Sequence, residues 1–152
     1  MNRESRFLIE WDCRQLVINF YMFLDEKKYT ELANLFAEDG VWVRLGVDLV
    51  GPEAIVAKMA EREDWLTTHL VSNVRFEVNS ADEVHTTQYV TLYRHEGWKK
   101  EEGPAPVVMP LSILRHQDQL VRINQEWKFK RKMSRAITVS YTHLTLPTSD
   151  LV

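Results

Sequence analysis

The second half of the chain consists of long segments of β-branched and aromatic residues that short polar turns separate. These segments span residues 67–78, 83–95, 107–123 and 126–133. The turns include residues 79–82 and 124–125. Segments of this length joined by tight turns predict an antiparallel meander, because neighbouring strands can pair as hairpins. Strand twist curls a sheet of this size, so its concave face needs a cover.

The first half of the chain supplies helices that can cover such a face. Apolar residues recur at intervals of three and four from residue 4 to residue 24 without Gly or Pro, which predicts one long amphipathic helix. A second helical pattern spans residues 29–36 and stops before Gly40. A third begins at Gly51-Pro52 and runs to about residue 62. Residues 41–45 and 49–50 predict a short hairpin between these two helices.

Composition is that of an ordinary single domain. The 152 residues are 45% hydrophobic and 27% charged, so one core of normal size can form. The net charge of −3 lacks the basic excess typical of nucleic-acid binders, which favours a small-molecule or protein partner. No apolar run is long enough for a signal peptide or a membrane span, so we expect a cytoplasmic protein without membrane contact. Cys13 is the only cysteine and is interpreted as a packed helix thiol.

We expect the last residues to differ in origin from the rest of the chain. Residues 139–148 read VSYTHLTLPT, which resembles one reading frame of adapter DNA used for sequencing libraries and known from metagenomic reading frames. We therefore assign residues 1–138 to the domain and predict that residues 139–152 are not native. A genuine short β tail is the alternative that the composition permits. His143 is accordingly given no functional role.

Several stretches resemble the SnoaL-like family of the nuclear transport factor 2-like superfamily. They are FYMFLD at residues 20–25, YTELANLFAEDGVW at 29–42, VGPEAI at 50–55, THLVSNV at 68–74, and the ending HQDQLVR at 116–122 with WKF at 127–129. The resemblance covers most of the chain, from about residue 14 to residue 132. It implies an α+β fold, a cone-shaped α+β barrel in which a curved antiparallel sheet and three N-terminal helices surround an apolar pocket.

The resemblance implies two classes of function. Scytalone dehydratase-like and dehydrochlorinase-like members eliminate a small group after abstracting a proton. The β subunits of ring-hydroxylating dioxygenases share the stretch His-Leu-Val-Ser-Asn and are largely structural. We therefore expect a small-molecule lyase or isomerase, with a non-catalytic scaffold or ligand-binding subunit as the alternative. The expected partners are a hydrophobic small-molecule substrate and further copies of the chain in a homodimer or homotrimer.

Asp25 and His69 stand where the eliminating members of the family place a catalytic pair. In such a pair the carboxylate fixes the tautomer of the ring and leaves its second nitrogen facing substrate as a general base. The alternative is structural: Asp25 ends a helix, and His69 is a hydrogen-bonded strand histidine. Perturbed pairs of this kind cluster at functional sites only statistically, so the sequence leaves both interpretations open.

The sequence offers two candidates for the acid that would protonate the leaving group. Five residues before the aspartate the family places a Tyr or Lys, and this chain has Phe20 there. Tyr21 is the next residue, about 100° further around the helix. His116 stands where the family more often has a tyrosine, and it would supply the proton if it points into the pocket. An outward-facing His116 is equally consistent with strand alternation.

Further apolar residues are candidates for the pocket wall, although each could equally belong to the core. They are Phe20, Trp42, Leu45, Leu66, Tyr89, Met109 and Leu114. The basic run at residues 128–132 is interpreted as one exposed strand face. The sequence has no Gly-rich phosphate loop, nucleophile elbow or histidine pair at helical metal spacing, so neither a metal nor a cofactor is predicted.

Overall fold

A computed structural model describes residues 1–140, apart from the side chain of Lys100. Within this range the α-helices are α1 Arg3–Asp25, α2 Tyr29–Ala33 and α3 Gly51–Met59, and a 3-10 helix covers Lys100–Glu102. The strands are β1 Phe36–Arg44, β2 Val47–Val50, β3 Leu66–Val78, β4 Glu83–His95, β5 Ser112–Ile123 and β6 Glu126–Val139. The predicted non-native tail lies outside the described residues except for Val139 and Ser140. None of the helices described is long and apolar enough to cross a bilayer.

The strands form one six-stranded sheet in the order β2-β1-β6-β5-β4-β3. The meander from β3 to β6 is antiparallel as predicted, and its last turn holds Asn124 and Gln125 at φ 49° and 69°, which suits a tight hairpin. However, β1 pairs with β6 in parallel, so the sheet is mixed rather than wholly antiparallel. The predicted α+β class is confirmed, and the curved sheet is not closed into a barrel.

Helix α1 is longer than any other element and has one buried face. Its first turn is capped by Asn2, whose side-chain oxygen accepts a hydrogen bond from the Ser5 N–H at 2.8 Å. The buried residues recur at helical spacing: Ile9, Cys13, Leu16, Val17, Phe20, Tyr21 and Leu24. The helix ends because Lys27 takes a left-handed conformation with φ 59°. This stop leaves Asp25 as the last helical residue.

Several predicted boundaries were wrong. Strand β1 begins at Phe36 instead of residue 41, β6 runs to Val139 instead of residue 133, and α3 ends at Met59 instead of about residue 62. Helix α2 ends at Ala33 instead of residue 36, because Phe36 is buried in β1 beside Phe129 of β6. Pairing with a neighbouring strand therefore overrides the local helical pattern. Strand β5 begins at Ser112 instead of residue 107, and Val107 and Met109 are 101% and 85% exposed.

The core near β1 is aromatic. The ring of Phe20 makes edge contacts with Phe36, Trp42 and Phe129 at centroid distances of 6.1, 5.1 and 5.7 Å. All four side chains are buried. Edge-to-face contacts at these distances are favourable for aromatic rings. They hold α1 against the β1–β6 pair.

Gly40 lies where the β1–β6 register shifts, between the Phe36 and Val41 pairs. A Cβ atom there would lie 2.6 Å from the Phe129 carbonyl oxygen and 2.9 Å from that of Ala37. Both obstacles are backbone, so we expect Gly40→Ala to lower the free energy of unfolding by about 1–3 kcal/mol. Urea denaturation would measure this. Glu38→Ala, an exposed change in the same strand, should cost less than about 0.5 kcal/mol. Equal midpoints for the two variants would contradict the close approach of β1 to β6.

Candidate active site

Asp25 occupies an electrostatically unfavourable position at the C-terminal end of α1. The helix dipole is negative there, so a carboxylate costs about 0.3–1 kcal/mol where a lysine would be favourable. Three donors offset this cost: the Thr67 hydroxyl at 3.0 Å, the His69 backbone N–H at 2.7 Å, and the His69 ring at 2.6 Å. Local rules are most often broken where function requires it. The placement of Asp25 therefore marks a candidate site.

His69 lies on β3 with its side chain turned towards α1. Its ring nitrogen Nδ1 contacts Oδ1 of Asp25, and the His69 side chain is only 1% exposed. Because both carboxylate oxygens already accept hydrogen bonds, we assign the ring proton to Nδ1. In the neutral ring the other nitrogen, Nε2, then carries a lone pair. It is buried and has no hydrogen-bond partner within residues 1–140.

Tyr21 lies one helical turn before Asp25 and points to the same side of α1. Its hydroxyl is 2.9 Å from Nδ1 of His116, 3.1 Å from Nε2 of Gln88 and 3.0 Å from Nζ of Lys132. The Tyr21 ring lies 6.0 Å from the His69 ring and 5.4 Å from the His116 ring, measured between centroids. Tyr21 thus contacts both imidazoles, and both candidate acids are part of one cluster.

His116 points inward, which decides the alternative that the sequence left open. It is 1% exposed, and its Nε2, like that of His69, is buried without a partner in the part of the chain that the structure describes. Strand alternation also turns Asp118 inward, because it lies two residues further along β5. Gln88, paired with His116 on β4, faces the same side.

The polar residues behind Tyr21 form a buried network. Gln88 Nε2 donates to Asp118 Oδ2 at 2.7 Å, and the Thr86 hydroxyl donates to Gln88 Oε1 at 3.0 Å. Lys132 Nζ donates to both oxygens of Asp118 at 3.1 Å. All of these residues are buried. A fully hydrogen-bonded network of this kind is rigid, and it holds Tyr21 in one orientation.

The burial of Lys132 corrects the prediction that residues 128–132 form an exposed strand face. Leu120 pairs with Phe129, but the preceding residue Gln119 pairs with Arg131, so β6 contains one extra residue at Lys130. This bulge reverses the alternation, so that Lys132 faces the same side as Phe129. Both are 0% exposed, whereas Arg131, which regular alternation would turn to the side of Phe129, is exposed.

Burial dominates the electrostatics of the cluster. It raises the pKa of Tyr21 well above its usual value, and the Asp118 charge acts in the same direction, so the hydroxyl keeps its proton at neutral pH. Burial also lowers the pKa of His116 well below its usual value, assisted by Lys132 and His69, so the ring is neutral. Burial lowers the pKa of Lys132 as well, while Asp118 opposes this by stabilising the ammonium.

The predicted wall residues lie in different places. Phe20, Trp42 and Leu114 belong to the buried core, and Phe20 touches Tyr21 edge-on at 5.0 Å. Leu45 and Leu66 are half-buried at the ends of β1 and β3. Tyr89 lies between the inward-facing Gln88 and Val90 and therefore points to the outer face of the sheet. Met109 lies in the exposed segment before β5. The structure does not bring Tyr89 or Met109 to Asp25 and His69.

The cluster also contains four residues that were not predicted from the sequence as site residues: Thr67, Gln88, Asp118 and Lys132. Thr67 and Asp118 each lie two residues from a histidine that was singled out, so strand alternation could have identified them. The inward position of Lys132 could not be predicted in this way, because the bulge in β6 reverses the alternation before it. Within residues 1–140, no group of three or more His, Cys, Asp or Glu side chains is arranged to hold a metal ion.

Two surface clefts lie away from this cluster. One is formed by α2 and α3 and is lined by residues that include Ala33, Pro52 and Val56. The other is lined by residues that include His85, Gln119 and Arg131 of β4, β5 and β6. Neither includes Asp25 or His69 among its lining residues.

Comparison with known proteins gives a family and a set of structural neighbours. A family model described as the SnoaL-like domain matches residues 5–132. No curated protein matches the chain by sequence. The hexachlorocyclohexane dehydrochlorinase LinA-type3 from Novosphingobium barchaimii is 19% identical, with a TM-score of 0.75 over 91% of this chain and 93% of its own. A proposed scytalone dehydratase from Novosphingobium aromaticivorans is 20% identical, with a TM-score of 0.74 over 91% of each chain. A Mycobacterium tuberculosis protein of unknown function has a TM-score of 0.79 at 15% identity, over 97% of this chain and 86% of its own.

Proposed function

The chain belongs to the SnoaL-like domain family, and from this we propose that it is a small-molecule lyase or isomerase in which His69 is the general base. The observation that carries the proposal is the environment of the His69 ring. Its Nδ1 is held by Asp25 at 2.6 Å, while its buried Nε2 has no partner among the described residues. A positioned, neutral imidazole with a free lone pair is suited to removing a proton from carbon.

Elimination also requires a group that protonates the leaving group, and His116 supplies it in this proposal. The Nε2 of His69 takes a proton from a substrate carbon, and the electrons of that C–H bond form a double bond. The bond to the leaving group on the adjacent carbon breaks, and the departing atom takes the proton of His116 Nε2. Nδ1 of His116 takes the proton of the Tyr21 hydroxyl in the same step, so the ring stays neutral and the phenolate that forms accepts hydrogen bonds from Lys132 and Gln88. Tyr21 contacts His116 from behind through Nδ1, so the hydroxyl acts through the imidazole rather than on the substrate.

The structural neighbours agree with this class of chemistry. One is named as a dehydrochlorinase and another as a proposed scytalone dehydratase, and both names describe the elimination of a small molecule. We therefore propose a hydrophobic substrate that carries a hydroxyl or a halogen next to an acidic C–H. The homodimer or homotrimer expected from the sequence stays a prediction.

One observation favours the alternative of a scaffold or ligand-binding subunit. The ring nitrogens Nε2 of His69 and His116 are both buried, so a substrate must gain access to them. In a scaffold, the contacts of Asp25 with Thr67 and His69 would serve only to hold the end of α1 against β3. The two functions differ in whether removing the His69 imidazole changes a reaction or only the stability.

We expect His69→Gln to lower kcat/KM by a factor of ~10² or more, because general-base catalysis typically contributes that much. Turnover of hydroxylated and halogenated cyclic compounds would be followed by mass spectrometry and by chloride release. Asp25→Asn should also impair turnover, because one amide oxygen cannot accept the donors that the two carboxylate oxygens of Asp25 accept.

The matched control is His85→Gln, since His85 is an exposed histidine on the outer face of the sheet and contacts Glu83. Its turnover should equal that of the wild type. Turnover that survives His69→Gln would rule out the proposed base. If no compound of the panel reacts but some raise the melting temperature, the ligand-binding alternative is favoured.

A further inference from the structure

The hydrogen bonds around the Tyr21 hydroxyl determine where its proton goes. A phenol has one proton to donate and two lone pairs. Lys132 Nζ and Gln88 Nε2 lie 3.0 and 3.1 Å from the oxygen, and both are donors. They occupy the two lone pairs, so the hydroxyl must donate to its third neighbour, Nδ1 of His116, at 2.9 Å. Nδ1 of His116 is therefore an acceptor.

The orientation of the Gln88 amide is fixed independently. Its nitrogen donates to the Asp118 carboxylate at 2.7 Å, and its oxygen accepts from the Thr86 hydroxyl at 3.0 Å. Turning the amide over would set its oxygen against the carboxylate, where neither atom has a proton to give. Gln88 therefore cannot accept the proton of Tyr21.

Lys132 lacks a lone pair that could accept a proton only while it is an ammonium ion, and its surroundings favour that form. Nζ contacts both oxygens of Asp118 at 3.1 Å, and it lies 4.3, 4.7 and 4.9 Å from the ring centroids of Phe20, Tyr21 and Phe129. A carboxylate and three aromatic faces all stabilise a cation. A neutral amine would accept the Tyr21 proton and release His116 from its role as acceptor.

We propose that Lys132 is a positioning residue that, through the Tyr21 hydroxyl, fixes His116 in the tautomer with its proton on Nε2. This inference rests on the proposed function, because a fixed donor matters only if His116 protonates a leaving group. It also explains how the two histidines take different roles in that function. Asp25 keeps the proton of His69 on Nδ1 and its Nε2 free to accept, while Lys132 keeps Nε2 of His116 ready to donate. Two neutral imidazoles are thereby assigned opposite roles.

The tautomers can be measured without a substrate. Long-range ¹H–¹⁵N correlation spectra of protein labelled at histidine distinguish ring nitrogens that carry a proton from those that do not. At neutral pH we expect a protonated Nε2 and an unprotonated Nδ1 for His116, with the reverse for His69. A protonated Nδ1 at His116 would overturn the inference.

Lys132→Met tests the role of the lysine. It frees one lone pair of Tyr21, so the hydroxyl can accept a hydrogen bond from Nδ1 of His116. We expect loss of the single wild-type tautomer. If the variant does not fold, Lys132→Met combined with Asp118→Asn removes the buried charge imbalance and retains the freed lone pair. Lys130→Met is the matched control, because Lys130 lies in the same strand but contacts the exposed Asp39. It should leave the His116 signals unchanged.

A folded Lys132 variant with the wild-type His116 tautomer would show that the lysine does not set it. This result is distinguishable from failure of the proposed function. If the tautomer changes as expected but turnover of an identified substrate is unaffected, Lys132 positions His116 and His116 is not the acid. If turnover depends on His116 but the His116 tautomer does not change when Lys132 is replaced, the proposed function is supported and the positioning role of Lys132 is wrong.

Discussion

Lys132→Met is expected to lower the free energy of unfolding by about 3–5 kcal/mol, because it leaves the Asp118 carboxylate buried without its cation. Both side chains are 0% exposed, so water cannot replace the missing partner. Lys132 also packs against the rings of Phe20, Tyr21 and Phe129, and these contacts are lost as well. Urea denaturation followed by tryptophan fluorescence would measure the change.

Two variants separate the loss of the ion pair from a general sensitivity of β6. Lys132→Met combined with Asp118→Asn should cost clearly less than Lys132→Met alone, because no unpaired charge remains in the interior. Lys130→Met removes an exposed ion pair with Asp39 and should change the stability by less than about 1 kcal/mol. A cost for Lys132→Met as small as that for Lys130→Met would contradict the buried ion pair.

Phe20→Ala is expected to destabilise the protein by about 3–5 kcal/mol, as for other buried phenylalanines that are truncated to alanine. The ring is 0% exposed and contacts four other aromatic residues, so its removal leaves a cavity between α1 and the β1–β6 pair. It also removes one of the aromatic faces around Lys132. Urea denaturation followed by tryptophan fluorescence would measure this loss of stability as well.

Phe7→Ala on the same helix is the control for this prediction. Phe7 is 62% exposed, so its truncation should change the stability by less than about 0.5 kcal/mol. If Phe20→Ala were tolerated as well as Phe7→Ala, Phe20 would line an open pocket rather than fill the core. That outcome would restore the interpretation of Phe20 as a wall residue.

The position of Phe20 also shows how this chain departs from the pattern that its resemblance implied. A Tyr or Lys was expected five residues before Asp25, and the chain has a ring that cannot transfer a proton. A cation nevertheless lies over that ring, because Lys132 of β6 places its Nζ 4.3 Å from the Phe20 centroid. The positive charge thus comes from the sheet instead of the helix.

Local patterns in the sequence predicted the elements that depend on local order. The spacing of apolar residues identified α1 to within one residue at each end, and the bounds of β4 were predicted without error. The parallel pairing of β1 with β6 could not be predicted in this way, because it joins segments far apart in the chain. No periodicity within either segment contains that information.

The candidate site was predicted only in part, because it too depends on contacts between segments that are far apart in the chain. Asp25, His69, Tyr21 and His116 were identified, and the structure brings them together. Lys132 was missed because a single extra residue at Lys130 reverses the alternation of β6. Whether a strand contains a bulge depends on its partner, and the sequence of β6 alone gives no sign of one.

The parallel pairing of β1 with β6 has a consequence for the order in which the chain can fold. During synthesis β1 emerges early and can pair with β2, but its other neighbour, β6, is the last strand of the described sheet to leave the ribosome. Contacts of such long sequence separation form slowly, and the edge of β1 that later receives β6 stays unpaired and prone to aggregation until then. Helix α1 and β3 can meet before β6 exists, so Asp25 can engage His69 first. The Tyr21 hydroxyl acquires its lysine only at the end, which makes the acid half of the proposed site the last part of the nascent protein to become functional.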